Sequence, residues 1–246
     1  MQLNLPQIIA HRGASHAAPE NTLAAVELAY HENARWVEVD VKLAADGVPI
    51  LMHDATLDRT TNLSGPVNAK AAAMLATADA GSWFDPRFAD AGVPALDALL
   101  DFAIEHEMGL NLEIKPNPNE ARRTAEQIMA LLARRAAHQV PEILFSSFNT
   151  AALAALDEAG DPRPRGVLFH ALPPSWQDQA QLVRAWSVHA EGKTLSQSKV
   201  AAVKDAGYPL VVFTINDAAM AKRLLAWGVD ALITDRPKAL AEELAQ

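Results

Sequence analysis

The 246-residue chain is the size of a single α/β barrel domain, and a hydrophobic share of 50% with 21% charged residues excludes a disordered or fibrous protein. It contains no cysteine, which removes disulfides and thiolate metal sites and leaves only oxygen or imidazole to hold a metal. A formal charge of -9 argues against nucleic acid as a partner, so any anionic ligand must be small and met by locally concentrated positive charge.

The opening residues, MQLNLPQIIAHRG, have neither a basic leader nor a long apolar stretch, and no apolar run approaches the ~20 residues needed to span a bilayer. A cytoplasmic protein with no membrane span is expected. Strand-like apolar runs at 8–12, 36–43, 110–115, 143–148, 166–170, 187–192, 210–216 and 231–235 alternate with stretches of helical periodicity. That alternation predicts a (β/α)8 TIM barrel, one domain spanning 1–246. Pro19 is expected in the first turn of the first helix; Gly160, Gly207 and Gly228 fall where helices should stop, and Pro237 should start the last one. Between Asp54 and Leu96 the rhythm breaks, in a segment too long for a βα loop. It predicts a small capping insertion after strand two, at about 55–95, whose Trp83, Phe84 and Phe88 either line an alcohol pocket or pack beneath the cap.

The run WVEVDVKL sets Glu38, Asp40 and Lys42 on one face of its strand and valines on the other. The run LNLEIK repeats the parity with Asn111, Glu113 and Lys115. Carboxylates on the inward faces of two barrel strands are costly, each close pair repelling by about 4 kcal/mol at an effective dielectric near 20. A bound cation relieves that repulsion, and with hard oxygen ligands one Mg2+ or Ca2+ ion is expected on Glu38, Asp40 and Glu113. With Arg12 and Lys115 added, the site keeps one net positive charge, which suits a phosphodiester held by the Arg12 fork and the Lys115 point charge. After Leu43, AADG and VPILMHD read as a hairpin centred near Asp46. Antiparallel register then sets His53 opposite Val39, level with Glu38 and Asp40, although a one-residue slip would turn it to the other face. His11 and His53, titrating near neutrality, form an acid/base pair. Gly13, directly after, is expected to let the backbone pass close to the ligand.

AHRG (10–13), PENT (19–22), the E-V-D of 38–40, ADG followed by LMHD, LDRTTN (57–62), AGSWF (80–84), NLEIKP (111–116), SSF (146–148), FTIN (213–216) and GVDALITDRP (228–237) occur in order. Through them the chain resembles, over nearly its whole length, the short cytoplasmic bacterial type of glycerophosphodiester phosphodiesterase. The resemblance implies a capped (β/α)8 barrel, His11 and His53 as acid and base, and Glu38, Asp40 and Glu113 as metal ligands. It implies Arg12 and Lys115 as phosphate contacts and Glu20 as a carboxylate that orients them. The implied reaction turns a small-molecule glycerophosphodiester into sn-glycerol 3-phosphate and an alcohol, through a cyclic phosphate or by direct attack of water. One departure stands out: Phe213 occupies a position where the family often has tryptophan. The other histidines, at 16, 31, 106, 138, 170 and 189, are expected to be structural or on the surface. A phospholipase and a non-catalytic phosphate-binding barrel are the competing readings.

Overall fold

The chain, seen in a computed structural model that describes residues 3–246, alternates strand and helix almost throughout. Its strands are β1 (Ile8–His11), β2 (Trp36–Leu43), β3 (Pro49–Leu51), β4 (Gly109–Ile114), β5 (Ile143–Ser147), β6 (Arg165–Phe169), β7 (Ser187–Glu191), β8 (Leu210–Phe213) and β9 (Ala231–Thr234). All but β3 run parallel in one ring, closed where Ile9 of β1 pairs with Ile233 of β9. This is the (β/α)8 barrel that the alternation predicts. β3 lies outside the ring, antiparallel to β2, with Val41 opposite Leu51 and Leu43 opposite Pro49. That register centres the hairpin on Asp46, as the AADG turn predicts.

Helices α1 (Leu23–His31), α3 (Leu96–Glu105), α4 (Ala121–Ala133), α5 (Thr150–Glu158), α6 (Trp176–Leu182), α7 (Gln197–Asp205), α8 (Ala218–Ala226) and α9 (Pro237–Leu244) surround the ring, and a short α2 (Ala72–Ala76) lies between β3 and α3. Gly160, Gly207 and Gly228 follow the caps of α5, α7 and α8 with φ of 72°, 85° and 102°, the left-handed geometry that ends a helix. Pro237 opens α9. Pro19 departs from its expected place: α1 starts at Leu23 behind an N-cap at Thr22. Thr22 donates its hydroxyl to the Pro19 carbonyl (2.7 Å) and accepts from the Ala25 amide (3.3 Å), so Pro19-Glu20-Asn21 form a turn ahead of the helix.

Residues 52–95 hold two short 3-10 turns, α2, and a small apolar cluster in which Leu57, Val67, Leu75 and Val93 join Ile50 and Met52. Phe84 stacks edge-on against both Trp83 and Phe88 at the outer side of this segment, and Trp83 is exposed. The three rings belong to neither this cluster nor the cleft described below.

Strand alternation sorts the barrel interior into levels. Outward valines and leucines of β2 and β4 pack under the helices, each burial contributing on the order of 1.5–3 kcal/mol. Inward residues Ile9, Trp36, Leu144, Val211 and Ile233 fill the floor. Above them sit Asn111, Ser146, Ser187 and His189, all fully buried. His189 Nε2 meets Ser187 Oγ at 2.9 Å, and its ring fills the space over Gly166, where a Cβ would come within 2.2 Å of that nitrogen.

Burial pushes His189 down to about 3, so the folded protein keeps it neutral while the unfolded chain protonates it below about 6.5. The unfolded state then binds the extra proton, and this one group should cost about 1.4 kcal/mol of stability per pH unit on acidification below that point. Thermal unfolding followed between pH 7.5 and pH 5 should show a shallower loss for His189→Leu than for the parent; equal slopes would contradict a buried neutral imidazole.

Candidate active site

The interior becomes charged where the strands reach their C-terminal ends. Asp40 lies directly across the β2–β4 ladder from Glu113, and Glu38 is flanked by His11 of β1 and Asn111 of β4. One carboxylate oxygen from each of Glu38, Asp40 and Glu113 lies within 4.8 Å of the other two, and the three residues are only 3%, 1% and 8% exposed.

Asp40 is the most heavily supported of the three. Arg12 Nε approaches its Oδ2 to 3.1 Å and Lys115 Nζ its Oδ1 to 3.4 Å. The Asn21 amide clasps it twice, donating to Oδ2 (2.8 Å) while accepting from the Asp40 backbone N–H (3.0 Å). Burial opposes ionisation of Asp40, yet the charges of Arg12 and Lys115 outweigh it and hold the carboxyl well below the usual range. The other two go the opposite way. Burial, followed by the charge of Asp40, pushes Glu113 up to about 7 and raises Glu38 well above an ordinary glutamate.

Arg12 owes its position to a sharp turn. Its φ of 56° is left-handed, its N–H donates to the Glu38 carbonyl at 2.7 Å, and its Nη1 donates to Glu20 Oε1 at 2.7 Å. Gly13 follows with φ 86°, and a Cβ there would lie 2.5 Å from the Ala25 carbonyl carbon of α1. The glycine is therefore required by the packing of the turn onto a helix.

His11 and His53 each have a carboxylate behind them. His11 Nδ1 lies 2.6 Å from Asp235 Oδ1 at the end of β9, and His53 Nδ1 lies 2.6 Å from Asp54 Oδ1. Burial opposes ionisation of Asp235, but hydrogen bonds from His11, Asn216 and Ser15 hold it down to about 2. Asn216 donates to Asp235 Oδ2 and accepts from its backbone N–H, which gives FTIN and TDRP a joint purpose. For His53, the level matches the sequence expectation but the side has another cause. A ladder continued past the Met52 N–H to Asp40 carbonyl bond would set His53 with Val39, away from the carboxylates. The chain bends after Met52 instead, and His53 turns into the same cleft as His11.

That cleft has a volume of about 350 Å³, within the range for small-ligand sites. His11, Arg12, His53, Glu113 and Lys115 form one wall. Opposite them, Phe148 stacks on His170 at 4.3 Å and meets Phe213 edge-on at 5.8 Å, so His170 belongs to the cleft and was missed as such by sequence reasoning.

Residues 11–239 match the model of the glycerophosphoryl diester phosphodiesterase family. The chain belongs to this family. A Caldanaerobacter subterraneus glycerophosphodiester phosphodiesterase is 30% identical over 234 residues, covering 95% of both chains. The structure of an Oleispira antarctica phosphodiesterase in complex with the product sn-glycerol-3-phosphate superposes with a TM-score of 0.94 at 36% identity, covering 98% of both chains. A glycerophosphodiester phosphodiesterase from Agrobacterium tumefaciens gives 0.77 at 31% identity, over 97% of this chain and 100% of that one. With family membership comes the reaction class, hydrolysis of a glycerophosphodiester.

All eight residues singled out by the sequence are joined in this one region of the family barrel. Sequence reasoning missed Asn21, Asp54, Arg59, Asn216 and Asp235, although each lies inside a motif that carries the resemblance. A hard divalent cation fits the triad chemically: the donors are all carboxylate oxygens, mutually close, buried, and in two cases reluctant to ionise together. Such a cation would displace the protons that burial and the charge of Asp40 leave on Glu38 and Glu113, so its affinity should climb as pH rises through the raised range of the two glutamates. Calorimetric titration with Mg2+ or Ca2+ in buffers of different ionisation heat should detect more proton release at pH 6 than at pH 8, and Glu113→Gln should lower the release at pH 6. An affinity independent of pH across that interval would contradict the carboxylate site.

Proposed function

We propose that the chain hydrolyses small glycerophosphodiesters to sn-glycerol 3-phosphate and an alcohol, with one divalent cation, Mg2+ or Ca2+, held by Glu38, Asp40 and Glu113. The observation that carries this reading is the convergence of the acidic triad, the Arg12–Lys115 pair and two carboxylate-backed histidines on one cleft. Residues 1–246 act as one catalytic domain, with the insertion at about 55–95 as its cap. When bound, the cation supplies charge neutralisation and polarisation of a phosphoryl oxygen.

The protein's own groups do the rest. Arg12 and Lys115 line the wall where the phosphodiester anion sits, and Glu20 fixes the Arg12 guanidinium. His11 and His53 both spend Nδ1 on a carboxylate, which leaves Nε2 of each ring for proton transfer. His11 Nε2 lies 3.9 Å from Glu38 and so faces the triad. Burial keeps His53 below its ordinary value and favours the neutral imidazole that accepts a proton from the attacking hydroxyl. The aromatic wall of Phe148, His170 and Phe213 offers an apolar face to the carbon skeleton of the substrate. Attack by the glycerol 2-hydroxyl, through a cyclic phosphate, and attack by water use the same groups.

Purified protein should release glycerol 3-phosphate from glycerophosphocholine and glycerophosphoethanolamine more readily than from lysophosphatidylcholine, in a coupled dehydrogenase assay. EDTA should abolish turnover until a divalent ion is restored; full activity after exhaustive chelation would remove the cation from the mechanism. His11→Ala and His53→Ala should each lower kcat by roughly 10²-fold or more, the usual scale for a positioned acid or base. Near-normal turnover in either variant would take that histidine out of the reaction.

A further inference from the structure

Arg59 sits in the LDRTTN stretch of the insertion and does not line the cleft. Its guanidinium nevertheless grips two carboxylates at once. Nη1 and Nη2 donate to Glu20 Oε2 (2.8 Å) and Oε1 (2.7 Å), while Nε and Nη2 donate to Asp54 Oδ2 (2.7 Å) and Oδ1 (3.1 Å). Glu20 is the partner of Arg12, and Asp54 is the partner of His53. One unbroken chain of charged hydrogen bonds therefore runs Arg12, Glu20, Arg59, Asp54, His53, and only its middle member comes from the insertion beyond the hairpin.

The arrangement answers a problem left by the sheet. His53 lies past the last ladder bond, so strand pairing does not determine which way its ring points. Arg12 follows the last paired residue of another strand and, although its N–H makes the final ladder bond, its left-handed backbone leaves the direction of its side chain outside the strand pattern. Some third element must hold these two side chains in a fixed relation across the cleft. A planar fork with five donors can bind two carboxylates edge-on simultaneously; a lysine, with a single tetrahedral head, cannot. Arg59 is 44% exposed, so solvent screens its contacts, and what the fork supplies is a fixed relation between the Glu20 and Asp54 carboxylates.

We propose that Arg59 is a positioning residue that aligns His53 with Arg12 by bridging Asp54 and Glu20. This rests on the role given above to His53 as proton carrier, and the test separates the two. Arg59→Ala, Arg59→Lys, Asp54→Asn, the Arg59→Ala/Asp54→Asn pair and His53→Ala are compared by kcat, KM and melting temperature. Arg59→Ala should lose roughly tenfold or more in kcat, the scale on which orienting partners act, with KM changed less than about threefold and little change in melting temperature. Lysine should recover only a small part of that loss. Free guanidinium at tens of millimolar should recover more of it in Arg59→Ala while leaving Asp54→Asn unaffected. The double variant should be no worse than the poorer single one, because both break the same chain. Turnover within about twofold of the parent in Arg59→Ala, beside a large loss in His53→Ala, would overturn the proposal and leave the reaction scheme standing. Full rescue by lysine, or multiplicative losses in the double variant, would also overturn it. Near-normal turnover in His53→Ala would instead remove the role of His53, and the alignment with it.

Discussion

An ionised carboxylate 1% exposed inside a barrel survives only if its surroundings are built to receive it, and Asp40 is the residue around which the mouth is arranged. Its two oxygens are met by an arginine, a lysine and an amide, each from a different segment: Arg12 after β1, Asn21 in the turn before α1, and Lys115 after β4. These ties explain local features that make no sense singly. Arg12 accepts a left-handed backbone, costing roughly 1 kcal/mol, because that turn aims its fork at Asp40 and Glu20. PENT forms a turn instead of a helical start because Glu20 and Asn21 are committed to Arg12 and Asp40.

Once Asp40 keeps its charge, its neighbours cannot all keep theirs. Glu113 and Glu38 share a small buried volume with it, and two nearby cations against three carboxylates leave the group under-neutralised. The raised values of Glu38 and Glu113 express that deficit. Protons or a divalent ion can supply the missing positive charge, which makes the triad a site whose occupancy is linked to pH by its own construction.

Much of this was legible in the sequence because strand parity is local. E-V-D-V-K and N-L-E-I-K each declare an inward charged face within five residues, and the ADG turn fixes the hairpin level to the residue. What could not be read depended on closure or on irregular backbone. Asp235 meets His11 only because β9 docks on β1, across 224 residues of chain. The side taken by His53 depends on a bend after the ladder has ended, and Gly13 is dictated by a helix whose approach no pattern announces. Glu20 became visible only through family resemblance, since its partners Arg12 and Arg59 lie 8 and 39 positions away in segments of different kind. Phe148 and His170 read as strand-end residues, and the pairing of β5 with β6 brings their rings face to face at the mouth.

The two cleft histidines show how differently the fold secures equivalent His–carboxylate pairs. His11 is held by the barrel itself: its carboxylate, Asp235, is braced by Asn216 and Ser15, so its orientation arises when the last strand closes the ring. His53 has no such frame. Its carboxylate follows it in sequence and is braced by one arginine from the irregular segment between β3 and α3. Insertions of this kind sit where loops vary most freely among barrels, yet this one is tied by Arg59 to the turn that carries Glu20. The segment therefore cannot drift as an independent lid without releasing Asp54 and Glu20 together. The insertion's own apolar cluster keeps it folded, and the contacts of Arg59 couple it to the cleft.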